Sequence, residues 1–261
     1  MHFRFLFLTL FLCLSCKKDH KTSEVIVIGH AGAGLNTEAG IYHDNSKESV
    51  QYALGYQGCE GVEVDVQLSA DSVLWLMHNL NLKEQTNRSG CVATMSSSEL
   101  ETVKYTTLKK EKLAKLEEIE AIWLKDKYLF LDMKPYNECL DKTILPARFI
   151  SAVQQLSYTG VNVFITSTQK DWLHAWSGSG FSQIYSADNF EDAVSALENF
   201  NFAGIMIRNA AITDEQVASV KATGKKVAIF EVRSPKGIRS ALSKKPDFIV
   251  TDDIRATLIE K

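Results

Sequence analysis

One stretch of the chain combines the pattern of a buried strand with groups that can do chemistry. Residues 61–79 read GVEVDVQLSADSVLWLMHN, in which Glu63 and Asp65 interrupt apolar, β-branched residues and His78 closes the second apolar run. Burying a carboxylate costs several kcal/mol unless the group is paired or binds a metal. The stretch therefore predicts a site in which two acids and a histidine are held together by a cation or by ion pairs.

The spacing within this stretch predicts how the three groups meet. Only residues 68–72 separate the two apolar runs, which is too short for a crossover helix, so the runs form an antiparallel hairpin. With the tip at residues 70–71, Glu63 lies directly opposite His78, and opposed side chains point to the same side. Asp65, two residues from Glu63, shares that side. The sequence thus predicts that all three side chains converge.

Further polar groups end other apolar runs. His30 ends VIVIGH, and Asp132 and Lys134 lie two residues apart in YLFLDMK. Arg208 ends AGIMIR, and Asp252 follows the last run. Together with Glu63 and Asp65, Asp132 gives three carboxylates, a set that favours one hard divalent cation, Ca²⁺ or Mg²⁺, over zinc. Two histidines can serve as base and acid around one phosphorus, so the set suits metal-assisted hydrolysis of a charged ester.

Each of these groups also has a structural interpretation. The acids could form a salt-bridged interior with Lys134 that needs no metal. Arg208 alone is more typical of a surface or structural group than of a ligand. Asp252 is favoured as the cap of the last helix, a common position for an aspartate that follows a strand.

The elements that must position these residues alternate between strands and helices. Helix-like segments, such as residues 47–57 and 213–224, separate most of the apolar runs, a pattern typical of parallel strands joined by crossovers. Without the return strand of the hairpin, eight parallel strands remain, which predicts a (β/α)8 barrel, with an open doubly wound sheet as the alternative. Residues 109–123 are expected to form a solvated amphipathic helix. The nine predicted strands are residues 25–30, 61–67, 73–78, 128–134, 161–167, 183–187, 203–208, 226–232 and 247–253.

Composition narrows the class of protein. The 261 residues are 45% hydrophobic and 23% charged, with a formal charge of −3 and no basic block, which argues against a nucleic-acid partner. One domain is expected, over residues 25–261. Outside the N-terminal segment, the cysteines are Cys59, Cys91 and Cys139, an odd number that allows at most one disulfide among them.

The N-terminus has the pattern of an export signal. Arg4 precedes an apolar run over residues 5–14, which is too short to span a bilayer, and Leu-Ser-Cys at Cys16 resembles a bacterial lipoprotein processing site. Residues 1–15 are therefore predicted to be a signal peptide, and residues 16–24 a polar tether after a lipidated Cys16. The expectation is an exported lipoprotein, anchored to a membrane of a bacterial cell envelope, in the periplasm or at the cell surface. A secretory signal cut nearby or a short uncleaved anchor is the alternative.

The motifs together resemble one known family. GHAGAG, KES, the stretch from Gly61 to Asn79, LDMK and FIVTDD follow one another as in the glycerophosphodiester phosphodiesterase family, over residues 25 to 255. The resemblance implies a (β/α)8 barrel with a small insertion after the hairpin. It further implies hydrolysis of a small phosphodiester substrate to an alcohol and glycerol phosphate. By position it implies His30 and His78 as the catalytic pair, Glu63, Asp65 and Asp132 as metal ligands, Lys134 beside the phosphate and Glu48 lining the site.

Four departures from the family pattern bear on the reaction. The arginine expected after the first histidine is Ala31, the third metal ligand is Asp132 where the family has Glu, and the usual His-Asp pair ends in Asn79. An aromatic-Asn motif is reduced to Phe230. We therefore expect Lys134 or Arg208 to take over the phosphate. Two other functions fit the same barrel, a phospholipase D-like or lysophospholipase D-like action on lipids and a non-catalytic surface binding protein.

Overall fold

The computed structural model describes residues 25–35, 37 and 40–261. The predicted signal peptide, the lipidated Cys16 and the tether lie outside the described residues. Within the described residues, no helix is long and apolar enough to cross a membrane. The strands are β1 Ile26–Gly29, β2 Cys59–Leu68, β3 Leu74–Leu76, β4 Ala114–Lys115, β5 Tyr128–Met133, β6 Asn162–Ser167, β7 Ser182–Ala187, β8 Gly204–Arg208, β9 Lys226–Val232 and β10 Phe248–Thr251. The α-helices are α1 Lys47–Leu54, α2 Ser97–Leu100, α3 Pro146–Gln154, α4 Lys170–His174, α5 Phe190–Asn199, α6 Asp214–Ala222, α7 Pro235–Ser243 and α8 Ile254–Glu260.

Eight parallel strands close into a barrel. β1, β2 and β5 to β10 pair in sequence order, and β1 pairs with both β2 and β10, so that Gly29 lies beside Val62 on one side and Thr251 on the other. This closure confirms the predicted (β/α)8 barrel and excludes the open sheet. All eight strands lie between Ile26 and Thr251, so residues 25–261 hold every strand that the barrel requires.

The strands are apolar on both faces because both faces are covered. Inward residues such as Ile28, Phe130 and Val250 form one buried cluster inside the barrel. Their neighbours along the chain point outward into a larger cluster beneath the helices, which also contains Trp172 and Trp176. A strand buried on both sides loses the alternation of apolar and polar residues, which is why the runs read as continuous. Glu63 and Asp65, which are charged and buried in β2, are exceptions to this apolar pattern and need partners that offset the cost of burial.

The hairpin forms, but its predicted register is wrong by one residue. Val66 pairs with Leu76, and Ser69 N–H donates to the carbonyl of Val73 at 2.9 Å, so the tip has three residues. Ser72 closes the tip with φ of 67°. Serine has no particular preference for this left-handed conformation, so the residue type does not predict it. Glu63 and His78 are consequently not a directly opposed pair.

The expected helix over residues 109–123 is also wrong. That segment holds β4 and two short 3₁₀ turns, Leu116–Glu118 and Ala121–Leu124. Leu113 packs in the core of the insertion after the hairpin, whereas Leu116 packs in the cluster outside the barrel. A single amphipathic helix would place its apolar residues on one face, against one core. Because Leu113 and Leu116 pack in two different cores, this segment does not form one continuous helix.

One disulfide, between two of the described cysteines, ties the insertion to the barrel. Cys91 in the insertion is bonded to Cys139 in the loop after β5, 48 residues further along the chain, while Cys59 is free and buried. This agrees with the expectation of at most one bridge. Closing a loop of that length constrains the unfolded chain and fixes the insertion beside the C-terminal ends of the strands.

Candidate active site

Three carboxylates form a cluster inside the barrel near the C-terminal ends of β2 and β5. Ligand oxygens of Glu63, Asp65 and Asp132 all lie within 4.8 Å of one another, and we call these three residues the acidic cluster. Glu63 and Asp65 are buried, and Asp65 lies beside Asp132 in the register of the two strands. An all-oxygen donor set of this kind fits a hard divalent cation such as Ca²⁺ or Mg²⁺. The prediction that these three residues come together is confirmed by their geometry.

Glu63 and Asp65 are held by different partners. The Glu63 carboxylate accepts the backbone N–H of Ala31 at 2.9 Å, and burial, with Asp65 nearby, raises the pKa of Glu63. The Asn45 side chain donates to the Asp65 carboxylate at 2.8 Å and accepts the Asp65 backbone N–H at 2.9 Å. Burial alone would raise the pKa of Asp65, but the Lys134 ammonium and the hydrogen bond from Asn45 outweigh burial and lower it. Asp65 therefore stays ionised more readily than Glu63.

Lys134 bridges the other side of the cluster. Its ammonium lies 2.9 Å from Asp65 Oδ1 and donates to Asp132 Oδ2. Thr166 donates its hydroxyl to the other Asp132 oxygen at 3.1 Å. Burial works against the charged lysine, but the two carboxylates raise the pKa of Lys134 above its ordinary value. The ammonium thus partly neutralises the negative charge of Asp65 and Asp132. Three carboxylates this close together need positive charge nearby, and a bound divalent cation would supply more of it.

Replacing Lys134 with methionine is expected to expose this dependence on positive charge. The variant leaves Asp65 and Asp132 without their shared partner, which should lower the free energy of unfolding by about 3 kcal/mol when a chelator is present. A divalent cation should restore more stability to the variant than it adds to the unchanged protein, since it binds the same carboxylates. Urea unfolding with and without cation measures both effects.

The control for that measurement is Lys226→Met. Lys226 pairs with Asp247 at 3.2 Å, and its side chain is 51% exposed, so its loss should cost less than about 1 kcal/mol. Equal losses for the two variants, or equal stabilisation by the cation, would contradict the bridging role of Lys134.

His30 is fixed beside the cluster by the last strand. Its Nδ1 lies 2.8 Å from Asp252 Oδ1, and its Nε2 lies 3.8 Å from Glu63 Oε2. Asp252 also accepts the backbone N–H of Leu35 at 2.9 Å and pairs with Arg233 at 3.0 Å. Burial disfavours the charged imidazole, but the hydrogen bond to Asp252 and the charge of Glu63 outweigh it and raise the pKa of His30 to about 9.

The interpretation of Asp252 as a helix cap is wrong. Asp253 caps α8 by accepting the backbone N–H of Ala256 at 2.8 Å, which leaves Asp252 for His30. The signal that finds this pair is closure of the barrel. Gly29 and Thr251 are neighbours across β1 and β10, so the next residues along both strands, His30 and Asp252, face each other.

His78 approaches the cluster from the return strand. The carbonyl of Asp65 accepts the backbone N–H of Met77 at 3.0 Å, which places the next residue, His78, beside the end of the strand that carries Asp65. His78 is half-buried, and its Nδ1 lies 3.0 Å from the side-chain oxygen of Asn79. Both predicted histidines therefore border the acidic cluster, each with one ring nitrogen engaged by a neighbouring side chain.

Two predicted substrate ligands lie outside the cluster. Arg208 pairs with Glu231 at 3.0 Å and lies 5.5 Å from the ring of Phe230, whose other neighbour is the His30 ring at 6.4 Å. Glu48 is exposed and lines a pocket with three tyrosines, Tyr42, Tyr52 and Tyr56. The structure thus brings Arg208 to the rim and does not bring Glu48 into the acidic cluster.

The residue that replaces the family arginine adopts an unusual backbone conformation. Ala31 is fully buried with φ of 48°, and its N–H faces Glu63. Gly32, which follows, has φ of 89° and its Cα lies against Ser49, so a side chain there would collide with α1. The position directly after His30 therefore carries no guanidinium. Among the described residues, Lys134 forms an ion pair with Asp65, and Arg233 forms one with Asp252.

Comparison with known proteins agrees with this geometry. The family model for the glycerophosphoryl diester phosphodiesterase family matches residues 30–256. A phosphodiesterase from Oleispira antarctica, solved with its product sn-glycerol-3-phosphate, is 22% identical, with a TM-score of 0.77 over 90% of this chain and 96% of that chain. A glycerophosphodiester phosphodiesterase from Thermotoga maritima is also 22% identical, with a TM-score of 0.71 over 91% and 98% of the two chains.

These structural likenesses support the fold, while the family match covers the residues of the site. No curated protein matches the chain. The family match confirms the resemblance drawn from the motifs, and with it the class of enzyme, a phosphoric diester hydrolase of the glycerophosphodiester phosphodiesterase type. The chain belongs to the glycerophosphoryl diester phosphodiesterase family.

Proposed function

We propose that this protein is a metal-dependent enzyme that hydrolyses glycerophosphodiesters to an alcohol and glycerol phosphate. The observation that carries the proposal is the acidic cluster bordered by two imidazoles, those of His30 and His78. Glu63, Asp65 and Asp132 would hold one Ca²⁺ or Mg²⁺ ion, which when bound would offset the negative charge of the phosphodiester. A binding protein without turnover would have no need of two histidines held at such a cluster.

The two histidines differ in a way that suggests their roles. His30, with its pKa raised to about 9, carries a proton at neutral pH and is suited to protonate the leaving alcohol. His78 would then take the proton from the attacking oxygen, either water or the hydroxyl of the substrate. If water attacks, a bond would form between phosphorus and the water oxygen as the bond to the alcohol oxygen breaks. His78 would take one proton from the water, His30 would give one to the alcohol, and exchange with solvent would return both rings to their starting states. If the substrate hydroxyl attacks, this step would give a cyclic phosphate, which a second attack by water would open to glycerol phosphate.

Phosphate recognition would fall to cations that replace the missing arginine. Lys134 is closest to the acidic cluster and would contact a phosphoryl oxygen there. Arg208, at the rim beside Phe230, would contact the part of the substrate further from the metal ligands. Glu48 stays a predicted contact at the edge of the site.

We also propose that the enzyme is exported and held by a lipid on Cys16, with residues 1–15 removed as a signal peptide and residues 16–24 serving as a tether. The Cys91–Cys139 disulfide supports export, because disulfides persist in oxidising compartments and are rare in the cytosol.

The test is turnover by the form that begins at Lys17. Glycerophosphocholine and glycerophosphoethanolamine would be assayed with Ca²⁺, Mg²⁺ or chelator, and the products identified by phosphorus NMR. We expect glycerol phosphate as the product, no turnover with chelator, and none in the double variant His30→Ala/His78→Ala. Turnover that survives the chelator would overturn the metal dependence, and release of phosphocholine would overturn the bond assignment. A lysophosphatidylcholine arm tests the lysophospholipase D-like alternative, for which the exposed apolar side chains at the rim, described below, are the favouring observation.

A further inference from the structure

A short hairpin in the insertion carries four lysines and an exposed leucine. Residues 104–112, which we call the basic finger, form a two-stranded turn in which Tyr105 N–H donates to the carbonyl of Glu111 at 2.9 Å. Leu108 lies at its tip, where Lys110 N–H donates to the carbonyl of Thr107, and the Leu108 side chain is fully exposed, at 103%. All four lysines of the finger are exposed: Lys104, Lys109, Lys110 and Lys112.

The charge of the finger is not neutralised locally. Among the described residues, no acidic side chain forms an ion pair with any of its four lysines. The one acid of the finger, Glu111, is buried, where it accepts the hydroxyl of Thr107 and the backbone N–H of His43 at 3.0 Å. The finger therefore offers exposed positive charge around a solvent-facing leucine.

The finger packs against the loop that follows β1, and this loop is hydrogen-bonded to the acidic cluster. The His43 ring stacks on Tyr105 with 3.6 Å between ring centroids, and Asn45, two residues later, binds the Asp65 carboxylate. Ile41, on the same loop, is 51% exposed and lines a pocket together with Leu108. The finger thus stands beside the opening of the candidate active site.

Exposed apolar side chains are concentrated at this end of the barrel. Of the eight large hydrophobic side chains that are exposed among the described residues, five lie at the tip of the basic finger or on the loops that follow β1 and β5. These loops leave the C-terminal ends of the strands, where the acidic cluster opens. The five residues are Ile41, Leu108, Tyr136, Leu140 and Leu145.

We propose that this rim, with the basic finger at its edge, docks on a lipid bilayer that carries anionic headgroups. Lysines flanking an exposed leucine match an anionic interface in charge, while the leucine and the other apolar rim residues enter the boundary between headgroups and acyl chains. Docking in this orientation turns the opening of the acidic cluster toward the lipid surface. The proposal concerns binding alone and does not depend on whether the site turns over.

The test is sedimentation with vesicles, using the form that begins at Lys17, which contains the whole barrel. Vesicles of phosphatidylcholine are compared with vesicles that contain about 30% phosphatidylglycerol, a composition that gives a negative surface potential. We expect binding to the anionic vesicles, about tenfold weaker binding for Leu108→Ser, and a loss of similar order for Lys109→Gln/Lys112→Gln.

Matched controls lie at the opposite end of the barrel. Ile259, near the end of α8, is 75% exposed, so Ile259→Ser removes an exposed apolar side chain away from the rim. Lys125→Gln/Lys261→Gln removes two exposed lysines there. Both controls should bind as the unchanged protein does, and hydrolysis of soluble glycerophosphocholine should be the same in Leu108→Ser.

Three outcomes would overturn the proposal. The first is that the unchanged protein does not bind anionic vesicles. The second is that Leu108→Ser binds as tightly as Ile259→Ser, which would mean that the lysines hold the protein at the anionic headgroups by charge alone, without insertion of the tip. The third is that sedimentation shows a dimer that Leu108→Ser converts to monomer without vesicle binding, which would assign the rim to a second copy of this chain.

Discussion

Replacement of His30 by alanine is expected to lower kcat for glycerophosphocholine by about 10³-fold, the range in which a positioned acid or base contributes. The physical reason is the environment of the ring, which is fixed at Nδ1 by Asp252 and directed at the acidic cluster by Nε2. KM should change little, since the ring acts on the transferred proton. Steady-state kinetics with Ca²⁺ or Mg²⁺ at saturation separate the two parameters.

Asp252→Asn distinguishes positioning from a purely structural role. Asparagine keeps an acceptor for His30 Nδ1 but weakens the hydrogen bond that most strongly raises the pKa of His30 and removes the negative charge of Asp252. We expect kcat to fall by about 10- to 100-fold and the limb of the pH profile that belongs to His30 to move to lower pH, since the protonated ring loses its stabilising partner. An unchanged pH profile in Asp252→Asn would assign Asp252 to the support of Leu35 and Arg233 only.

Asp65→Asn is expected to abolish most metal binding and to lower turnover by about 10³-fold, because a Lewis-acid cation contributes several kcal/mol to such a reaction. Asp65 is nearly fully buried and is bonded to both Asn45 and Lys134, so the amide fits the same space while removing one ligand charge. Calorimetric titration with Ca²⁺ and Mg²⁺ measures the affinity directly and does not require turnover.

The matched control is Asp71→Asn. Asp71 lies at the tip of the same hairpin, where it accepts the backbone N–H of Ser97 at 3.0 Å, and it is exposed. The control should bind metal as the unchanged protein does. Cation affinity that is equal in Asp65→Asn and Asp71→Asn would remove the acidic cluster from metal binding.

The strands could be predicted from the sequence because each of them is marked by several apolar residues at once. Each barrel strand is buried on both faces, so several consecutive apolar residues mark it, and the loss of one does not hide it. The carboxylates Glu63, Asp65 and Asp132 were predictable for the opposite reason, because each interrupts such a run where a charge is costly. Residues that break a strong local rule are the ones a sequence exposes most clearly.

The register of the hairpin and the path of residues 109–123 were not predictable in this way. The register depends on one backbone angle at Ser72, a residue type with no preference for that region. The path after Glu111 depends on which of two cores Leu113 and Leu116 enter, and their spacing alone also fits one helix. Both are decided by tertiary contacts that local patterns do not record.

Asn45 and Asp252 were missed as site residues although both contact predicted ones. Neither interrupts an apolar run, and each reaches its partner through a loop or a strand pairing distant in the chain. For Asp252 the barrel itself contains the information, since closure makes the first and last strands neighbours. The same step identifies Arg233 as the ion-pair partner of Asp252.

Closure of the barrel also determines at which stage of synthesis and folding His30 can be fixed in its place. His30 and Asp252 are separated by 222 residues and meet only after β10 has joined β1. A chain still emerging from the ribosome carries His30, Glu63 and Asp65 before it carries the strand that fixes the histidine. The contact between His30 and Asp252 therefore forms only once β10 has been made and paired with β1, so a chain that lacks β10 also lacks the group that fixes His30.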